Sequence, residues 1–69
     1  MIEVFKTNIN RKRTAAKIRI DLLLLFPDCK INFDLDDCDH ILRIESTSDI
    51  GKEIELEINK KGFYCEELF

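Results

Sequence analysis

Residues 30–45 read Lys30-Ile-Asn-Phe-Asp-Leu-Asp-Asp-Cys-Asp-His-Ile-Leu-Arg-Ile-Glu45. Apolar and polar residues alternate on both sides of an aspartate-rich break, which is the period of a strand with one buried face. The stretch therefore predicts two antiparallel strands joined by a tight turn at residues 36–39. The side chains expected on the buried face are Ile31, Phe33, Leu35, Leu42 and Ile44. Those expected on the solvated face are Asn32, Asp34, Arg43 and Glu45.

The region before this hairpin predicts a strand and a helix. Residues 1–7 are rich in β-favouring residues and predict a first strand. From Arg11 to Phe26 apolar residues recur every three or four positions, which predicts a helix packed on a core. Asn10 is the expected N-cap of this helix, and Pro27 is expected to end it.

The region after the hairpin predicts a second helix. Thr47 or Ser48 would cap its start, and Gly62 would follow its end. Residues 53–58 also alternate with period two, as a strand would. The helix is favoured because acidic residues lead, lysines trail and a glycine closes the segment. Residues 63–68 are expected to form either a short fourth strand or an ordered tail.

The predicted element order is β-α-β-β-α-(β) within a single domain of residues 1–69. A helix between the first two strands and a hairpin between the second and third match the ferredoxin-like split βαβ pattern. We therefore expect an α+β fold, a ferredoxin-like βαββα(β) sandwich with an antiparallel sheet and two helices on one face. A chain of this length buries a modest core and has little room for an enclosed pocket.

The positions that suggest a family are spread over nearly the whole chain. They are the helix residues Ile18, Leu22 and Leu25, the turn Phe26-Pro27-Asp28, the strand end Asp34-Leu35 and the closing turn Gly62-Phe63. With these features the chain resembles the heavy-metal-associated domain family, the small copper-chaperone-like domains. The turn after the helix is one residue shorter than in the family.

The resemblance implies that the family's metal loop, Gly-Met-x-Cys-x-x-Cys, corresponds to residues 8–14. Ile9 stands where the family has a buried Met, and Arg11 and Thr14 stand where it has its two cysteines. A guanidinium and a hydroxyl cannot hold a soft monovalent copper ion as two thiolates do. The resemblance therefore implies the scaffold without metal transfer at this loop, and we expect no cofactor. The family's loop is also its docking surface for partner proteins, so a protein contact there is the implied remaining role.

Composition and charge limit the function classes. The chain is 45% hydrophobic and 36% charged, which is typical of a folded protein rather than a disordered one. It has no apolar run long enough for a bilayer and no signal-peptide pattern, so we expect a cytoplasmic protein without a membrane partner. The three cysteines include no Cys-x-x-Cys pair and are expected to be free thiols.

The net charge of −3 is unevenly distributed. Residues 1–20 hold six basic residues and one acidic residue, a net charge of +5, whereas residues 21–69 hold five basic and thirteen acidic residues, a net charge of −8. An acidic chain is a poor partner for nucleic acid, so we expect none. The cluster at residues 11–13 is unusual, because a helix N-terminus attracts anions and disfavours cations.

This basic cluster has two interpretations. It can be a solvated helix end, or it can bind an anion or an acidic protein segment, since free N–H groups and guanidinium groups together form an anion site. We predict the second, a non-enzymatic binding module that acts through residues 8–14 as a monomer or weak homo-oligomer. In the oligomer the basic loop of one copy would meet the acidic hairpin of another. The predicted contact residues are Asn10, Arg11, Lys12, Arg13 and Thr14.

A metal carrier or sensor with a relocated site is the alternative. Cys38, His40 and Cys65 offer thiolate and imidazole ligands that suit zinc or copper. Metal sites normally use close ligand pairs, however, and Cys65 is expected at a sheet edge or at the end of the molecule opposite the hairpin turn. Asp34, Asp36, Asp37 and Asp39 lack the central Gly and the distal Glu of a calcium loop. No Ser-His-Asp or Cys-His arrangement is present, so we expect no enzyme.

Overall fold

The computed structural model describes residues 1–36 and 38–68 and contains six elements. They are β1 (Ile2–Thr7), α1 (Lys12–Leu25), β2 (Lys30–Asp34), β3 (Ile41–Glu45), α2 (Gly51–Lys60) and β4 (Cys65–Glu67). The strands form one antiparallel sheet in the order β2-β3-β1-β4, and both helices pack on the same face of it. This α+β architecture is compatible with the expected ferredoxin-like fold. Residues 53–58 are helical, and residues 65–67 form a fourth strand.

The register of the hairpin agrees with the prediction. Ile31 lies opposite Ile44 and Phe33 lies opposite Leu42, so these side chains share the face that the helices cover. The four polar residues expected on the other face are all exposed. Asp37 of the predicted turn lies outside the described residues. The fully buried large side chains of the core are Phe5, Ile9, Leu22, Ile31, Leu42, Ile44, Ile54 and Ile58.

Helix α1 packs on the sheet through a narrow apolar stripe and ends shortly before a proline. Ala15, Ile18 and Leu22 are buried at three- and four-residue spacing. The helix ends at Leu25, just before Pro27, which has no N–H to continue the ladder. The prediction of Asn10 as the N-cap is wrong, because the helix starts one residue later and Arg11 occupies the cap position without a capping side chain.

The start of α2 also differs from the prediction. Its N-cap is Ile50, and neither Thr47 nor Ser48 caps it. The hydroxyl of Ser46 donates instead to the Ser48 carbonyl, which holds the serine-rich segment in a turn of its own. The backbone N–H of Ile50 donates to the carboxylate of Glu3, 3.4 Å away on β1. A distant strand therefore supplies the acceptor that the local sequence was expected to supply.

The end of α2 matches the prediction. Gly62 has a φ of 91°, a conformation that favours glycine, and directly follows the C-cap residue Lys61. Its N–H donates to the Asn59 carbonyl at 3.0 Å, and the Phe63 N–H donates to the Ile58 carbonyl at 3.3 Å. These two bonds form a Schellman motif, which turns the chain sharply back toward α1.

Hydrogen bonds of Thr7 and of its neighbour Asn8 connect three segments at one end of the sheet. The Thr7 hydroxyl donates to the His40 carbonyl at 2.6 Å and accepts from the Ile9 N–H at 3.2 Å. The neighbouring Asn8 side chain accepts from the Tyr64 N–H at 2.8 Å. The loop before α1, the hairpin turn and the segment after α2 therefore lie together at this end.

Candidate functional site: a basic cleft beside the first helix

The start of α1 presents positive charge that no described group neutralises. Arg11 is extended, with φ −116° and ψ 131°, and the first helical turn contains no acidic residue. Arg11, Lys12 and Arg13 are exposed and form no ion pair with another described residue. The free N–H groups of the helix start add to this positive potential.

An open cavity of about 670 Å³ lies beside this helix start, between α1 and the turn after α2. We call it the basic cleft. Four of its side chains are cationic and only one is acidic, so its electrostatic potential is positive. The lining residues are Arg11, Arg13, Thr14, Lys17, Ile18, Asp21, Lys61 and Phe63.

Local sequence and tertiary packing both contribute to the cleft. Arg13, Lys17 and Asp21 follow one another at four-residue spacing, which aligns them along one flank of α1. Lys61 and Phe63 reach the cleft from the other side, because the Schellman motif directs the chain toward α1. A contact of 2.7 Å between Lys61 Nζ and Asp21 Oδ2 joins the two sides.

The surroundings of the acidic residue in the cleft favour its ionised form. The hydrogen bond from Lys61 is the main cause that lowers the pKa of Asp21, partial burial opposes it, and the charges of Lys61 and Lys17 add to the lowering. Asp21 therefore offsets much of the charge of Lys61. Arg11, Arg13 and Lys17 have no ion-pair partner of their own among the described residues, and they remain available to an anionic ligand.

Part of the cleft surface is apolar. Ile18 is 3% exposed and belongs to the core, and Phe63 packs half-buried against that core. A ligand in the cleft would meet guanidinium and ammonium groups around this apolar surface. Guanidinium groups bind carboxylates and phosphates through paired N–H donors, so the arrangement suits an anionic group carried on an apolar body.

The structure divides the predicted contact residues between two flanks of α1. Arg11, Arg13 and Thr14 line the basic cleft. Lys12 instead lines a groove of about 390 Å³ on the other flank, between α1 and the β2 side of the hairpin. Asn10 is exposed and is not among the residues lining either cavity.

Five lining residues were missed as contact residues in the sequence, and one of them, Ile18, was expected only as a core residue. Lys17 and Asp21 could have been found, because they continue the four-residue spacing from Arg13 along the helix. No pattern in the sequence indicates that Lys61 and Phe63 lie beside α1. They join the cleft only because α2 ends against α1, which is a property of the tertiary structure.

The residues of the metal hypothesis are not brought together as a ligand set. Cys38 is exposed, and Cys65 is buried on the edge strand β4. Cys65 lies at an edge as expected, but at the same end as the hairpin turn, since it pairs with Thr7, whose hydroxyl bonds the His40 carbonyl. Within residues 1–36 and 38–68, no group of three His, Cys, Asp or Glu side chains is placed to hold a metal ion.

Cys65 is buried, and His40 is half-buried with a buried ring nitrogen. Burial raises the pKa of the Cys65 thiol to about 12, and the charges of Glu55 and Glu67 add to the effect. The thiol is therefore protonated at neutral pH, whereas metals bind the thiolate. His40 has a φ of 49°, and its buried Nδ1 has no hydrogen-bond partner among the described residues.

Comparisons with protein-family models, curated proteins and solved structures found no match to this chain. Neither described helix is long and apolar enough to cross a membrane.

Proposed function

We propose that this chain is a non-enzymatic binding module that holds an acidic segment of a partner protein in the basic cleft. The observation that carries the proposal is the convergence of Arg11, Arg13 and Lys17 on one cavity without ion-pair partners among the described residues. The uncapped start of α1 supports it, because its N–H groups add donors for a carboxylate.

Energetic considerations favour a peptide segment over a small inorganic anion. An exposed ion pair contributes about 0.2–1 kcal/mol, so three or four pairs supply only about 1–4 kcal/mol. Micromolar affinity requires about 8 kcal/mol. The remainder must come largely from apolar contact, at roughly 25 cal/mol per Å² buried, and the half-buried Phe63 offers such a surface. The fitting partner therefore presents carboxylates next to an apolar side chain.

The scaffold we propose is a ferredoxin-like, heavy-metal-associated-like domain that has lost its metal site. Two observations support this assignment. Ile9 is fully buried, as a residue in the position of the family's Met would be. Arg11 and Thr14, which stand in the place of the two thiols, both line the basic cleft. The surface would then retain partner docking without the metal.

The test compares two neighbouring charge reversals on α1. Arg13→Glu reverses a charge that lines the cleft, whereas Lys12→Glu makes the same charge change on the other flank. The probe is a fluorescein-labelled peptide of glutamates interspersed with phenylalanines, and binding is followed by anisotropy at low salt. Arg13→Glu turns an attraction into a repulsion and should weaken binding about tenfold. Lys12→Glu should weaken it about twofold or less.

Circular dichroism of both variants checks that the fold is intact. Equal losses for Arg13→Glu and Lys12→Glu would show that the peptide senses only net charge, and would refute a site in the cleft. Replacing Phe63 with serine removes apolar contact without changing charge. Unchanged affinity in that variant would refute the need for an apolar side chain in the partner.

A further inference from the structure

A carboxyl group lies buried under the start of α2, away from the basic cleft. Glu3 is only 4% exposed and points from β1 toward the helix-covered face. One of its oxygens, Oε1, accepts from the Ile50 N–H at 3.4 Å. The other oxygen, Oε2, is buried and receives no N–H or hydroxyl hydrogen bond from a described residue. A buried carboxylate oxygen without a hydrogen-bond donor destabilises the folded state, so Oε2 of Glu3 needs such a donor.

Glu67 on β4 is the group that can supply this donor. A Cβ atom built on Gly51 would lie 2.5 Å from Glu3 Oε2 and closer still to Glu67 Oε1. The two carboxyl oxygens therefore converge on one point and lie within about 5 Å of each other, a separation at which two carboxylates repel strongly. A proton on Glu67 removes the repulsion and allows this carboxyl to donate to Glu3.

The charged side chains that act on the pair are acidic. Glu55 on α2 accepts from the Glu67 N–H at 2.6 Å, and Asp49 lies in the segment before α2. Two thiols, Cys29 after α1 and Cys65 on β4, are also within electrostatic reach of the pair. None of the described ion pairs brings a lysine or arginine to this cluster.

The titration of Glu67 follows from this environment. Partial burial is the main cause that raises its pKa, and the hydrogen bond and charge of Glu3 raise it further, together with the charges of Asp49 and Glu55. A folded-state pKa above the unfolded value means that the native state holds its proton more tightly. The stabilisation is thus fully present below the ordinary Glu pKa and is lost as pH rises through the raised value.

The strand that carries Glu67 is the shortest described strand of the sheet. β4 is three residues long, lies at an edge and has β1 as its one neighbour among the described strands. The Leu68 N–H adds one further bond to the Val4 carbonyl at 2.8 Å. Short edge strands with few neighbours open at the least free-energy cost, so repulsion at Glu67 should act here first.

We propose that Glu3 and Glu67 form a proton-operated latch that holds β4 against β1 and keeps Cys65 covered. When the shared proton leaves to solvent, the carboxylates repel each other and β4 detaches from the sheet edge. The 7% exposed Cys65 then becomes accessible to solvent. This device is independent of the basic cleft, and its success or failure does not bear on peptide binding.

The test follows the reactivity of Cys65 with a disulfide reagent between about pH 5 and about pH 8. Cys29→Ser and Cys38→Ser leave Cys65 as the sole thiol. The labelling rate of the folded protein is divided by the labelling rate in urea at the same pH. This ratio no longer contains the effect of the thiol's own ionisation on its reactivity. While the latch titrates, opening releases one proton, so this ratio should rise by up to tenfold per pH unit.

Two further substitutions separate the latch from a general effect of charge. In Glu67→Gln the amide donates to Glu3 at every pH, so the ratio should stay low and flat. Glu66→Gln makes a similar change on the same strand but on the opposite sheet face, opposite Lys6, and should keep the parent slope. A flat parent ratio, or a parent-like slope in Glu67→Gln, would overturn the proposal.

A direct titration covers the case in which Glu67→Gln fails to fold. Carbon-13 NMR of the side-chain carboxyls in the parent protein should show Glu67 titrating at higher pH in the folded state than in urea. Equal midpoints in the two states would overturn the proposal without any variant.

Discussion

Gly51 is a position where helix propensity and tertiary packing predict opposite effects of alanine. Alanine in a helix interior is favoured over glycine by about 1 kcal/mol, and the gain is smaller at the first helical residue, where Gly51 lies. Against this gain, the new Cβ would enter the space between the carboxyl groups of Glu3 and Glu67. Whether Gly51→Ala raises or lowers the free energy of unfolding depends on whether these two carboxyl groups can move.

The burial of the two carboxyls decides the sign. Glu67 is half-exposed, whereas Glu3 is 4% exposed and cannot move without losing its buried position. Displacing Glu3 breaks its bond from Ile50 and leaves a buried polar group strained, at a cost of about 1–3 kcal/mol. After the propensity gain is subtracted, Gly51→Ala should lower the free energy of unfolding by about 1–2 kcal/mol.

This loss is large enough to measure by thermal unfolding. For a domain of this size 1 kcal/mol corresponds to about 4–8 °C, so the Tm should fall by about 5–15 °C. Far-UV circular dichroism is the suitable signal, since the chain has no Trp. Lys52→Ala, at the exposed next residue, is the matched control and should change the Tm little. A Gly51→Ala protein as stable as the parent, or more stable, would refute the reasoning.

Three further changes test other contacts. Arg19 donates from Nε to the Ile31 carbonyl at 2.8 Å on the edge strand β2, so Arg19→Ala should free that edge and increase self-association in sedimentation velocity. Leu22 is fully buried in the core, and Leu22→Ala should cost about 2–5 kcal/mol in urea unfolding. Asp21 neutralises Lys61 in the basic cleft, so Asp21→Asn should strengthen binding of the acidic peptide about fivefold in anisotropy.

Each of these changes has a matched control in the chain. Arg43→Ala removes an exposed arginine from the open sheet face and should leave the protein monodisperse if the parent is. Leu24→Ala truncates a leucine on the same helix that is 78% exposed, and it should cost little. Asp28→Asn makes the same charge change outside the basic cleft. Indistinguishable effects of test and control would contradict the corresponding assignment.

The hairpin was predictable because its two faces differ strongly. A shift of one residue in β2 would bury Asn32 and Asp34 and expose Ile31 and Phe33, so such a shift is incompatible with a folded core. The end of α2 was predictable for a similar reason, since Gly62 adopts a backbone conformation that glycine favours. Such features depend on a few neighbouring residues.

The orientation of β1 and part of the basic cleft were not predictable from the sequence. The apolar residues of β1 include Ile2 and Val4, yet the structure leaves Ile2 60% exposed and buries Glu3. The orientation is set by pairing with β3, where Phe5 lies opposite Leu42 and faces the helices with it. Lys61 and Phe63 in the basic cleft depend in the same way on how α2 meets α1. Pairings between distant segments leave no local period in the sequence.

The end of the molecule where three segments meet around Thr7 carries different charges on its two sides. Helix α1 separates a positive flank, with Arg13 and Lys17, from a groove whose far wall carries Asp34 and Asp36. An acidic chain approaching this end is attracted to the positive flank, whereas in the groove the charges of Lys12 and Arg19 are offset by those of Asp34 and Asp36. A bound segment with unequal charge at its two ends would therefore be oriented by the positive flank before any apolar contact forms.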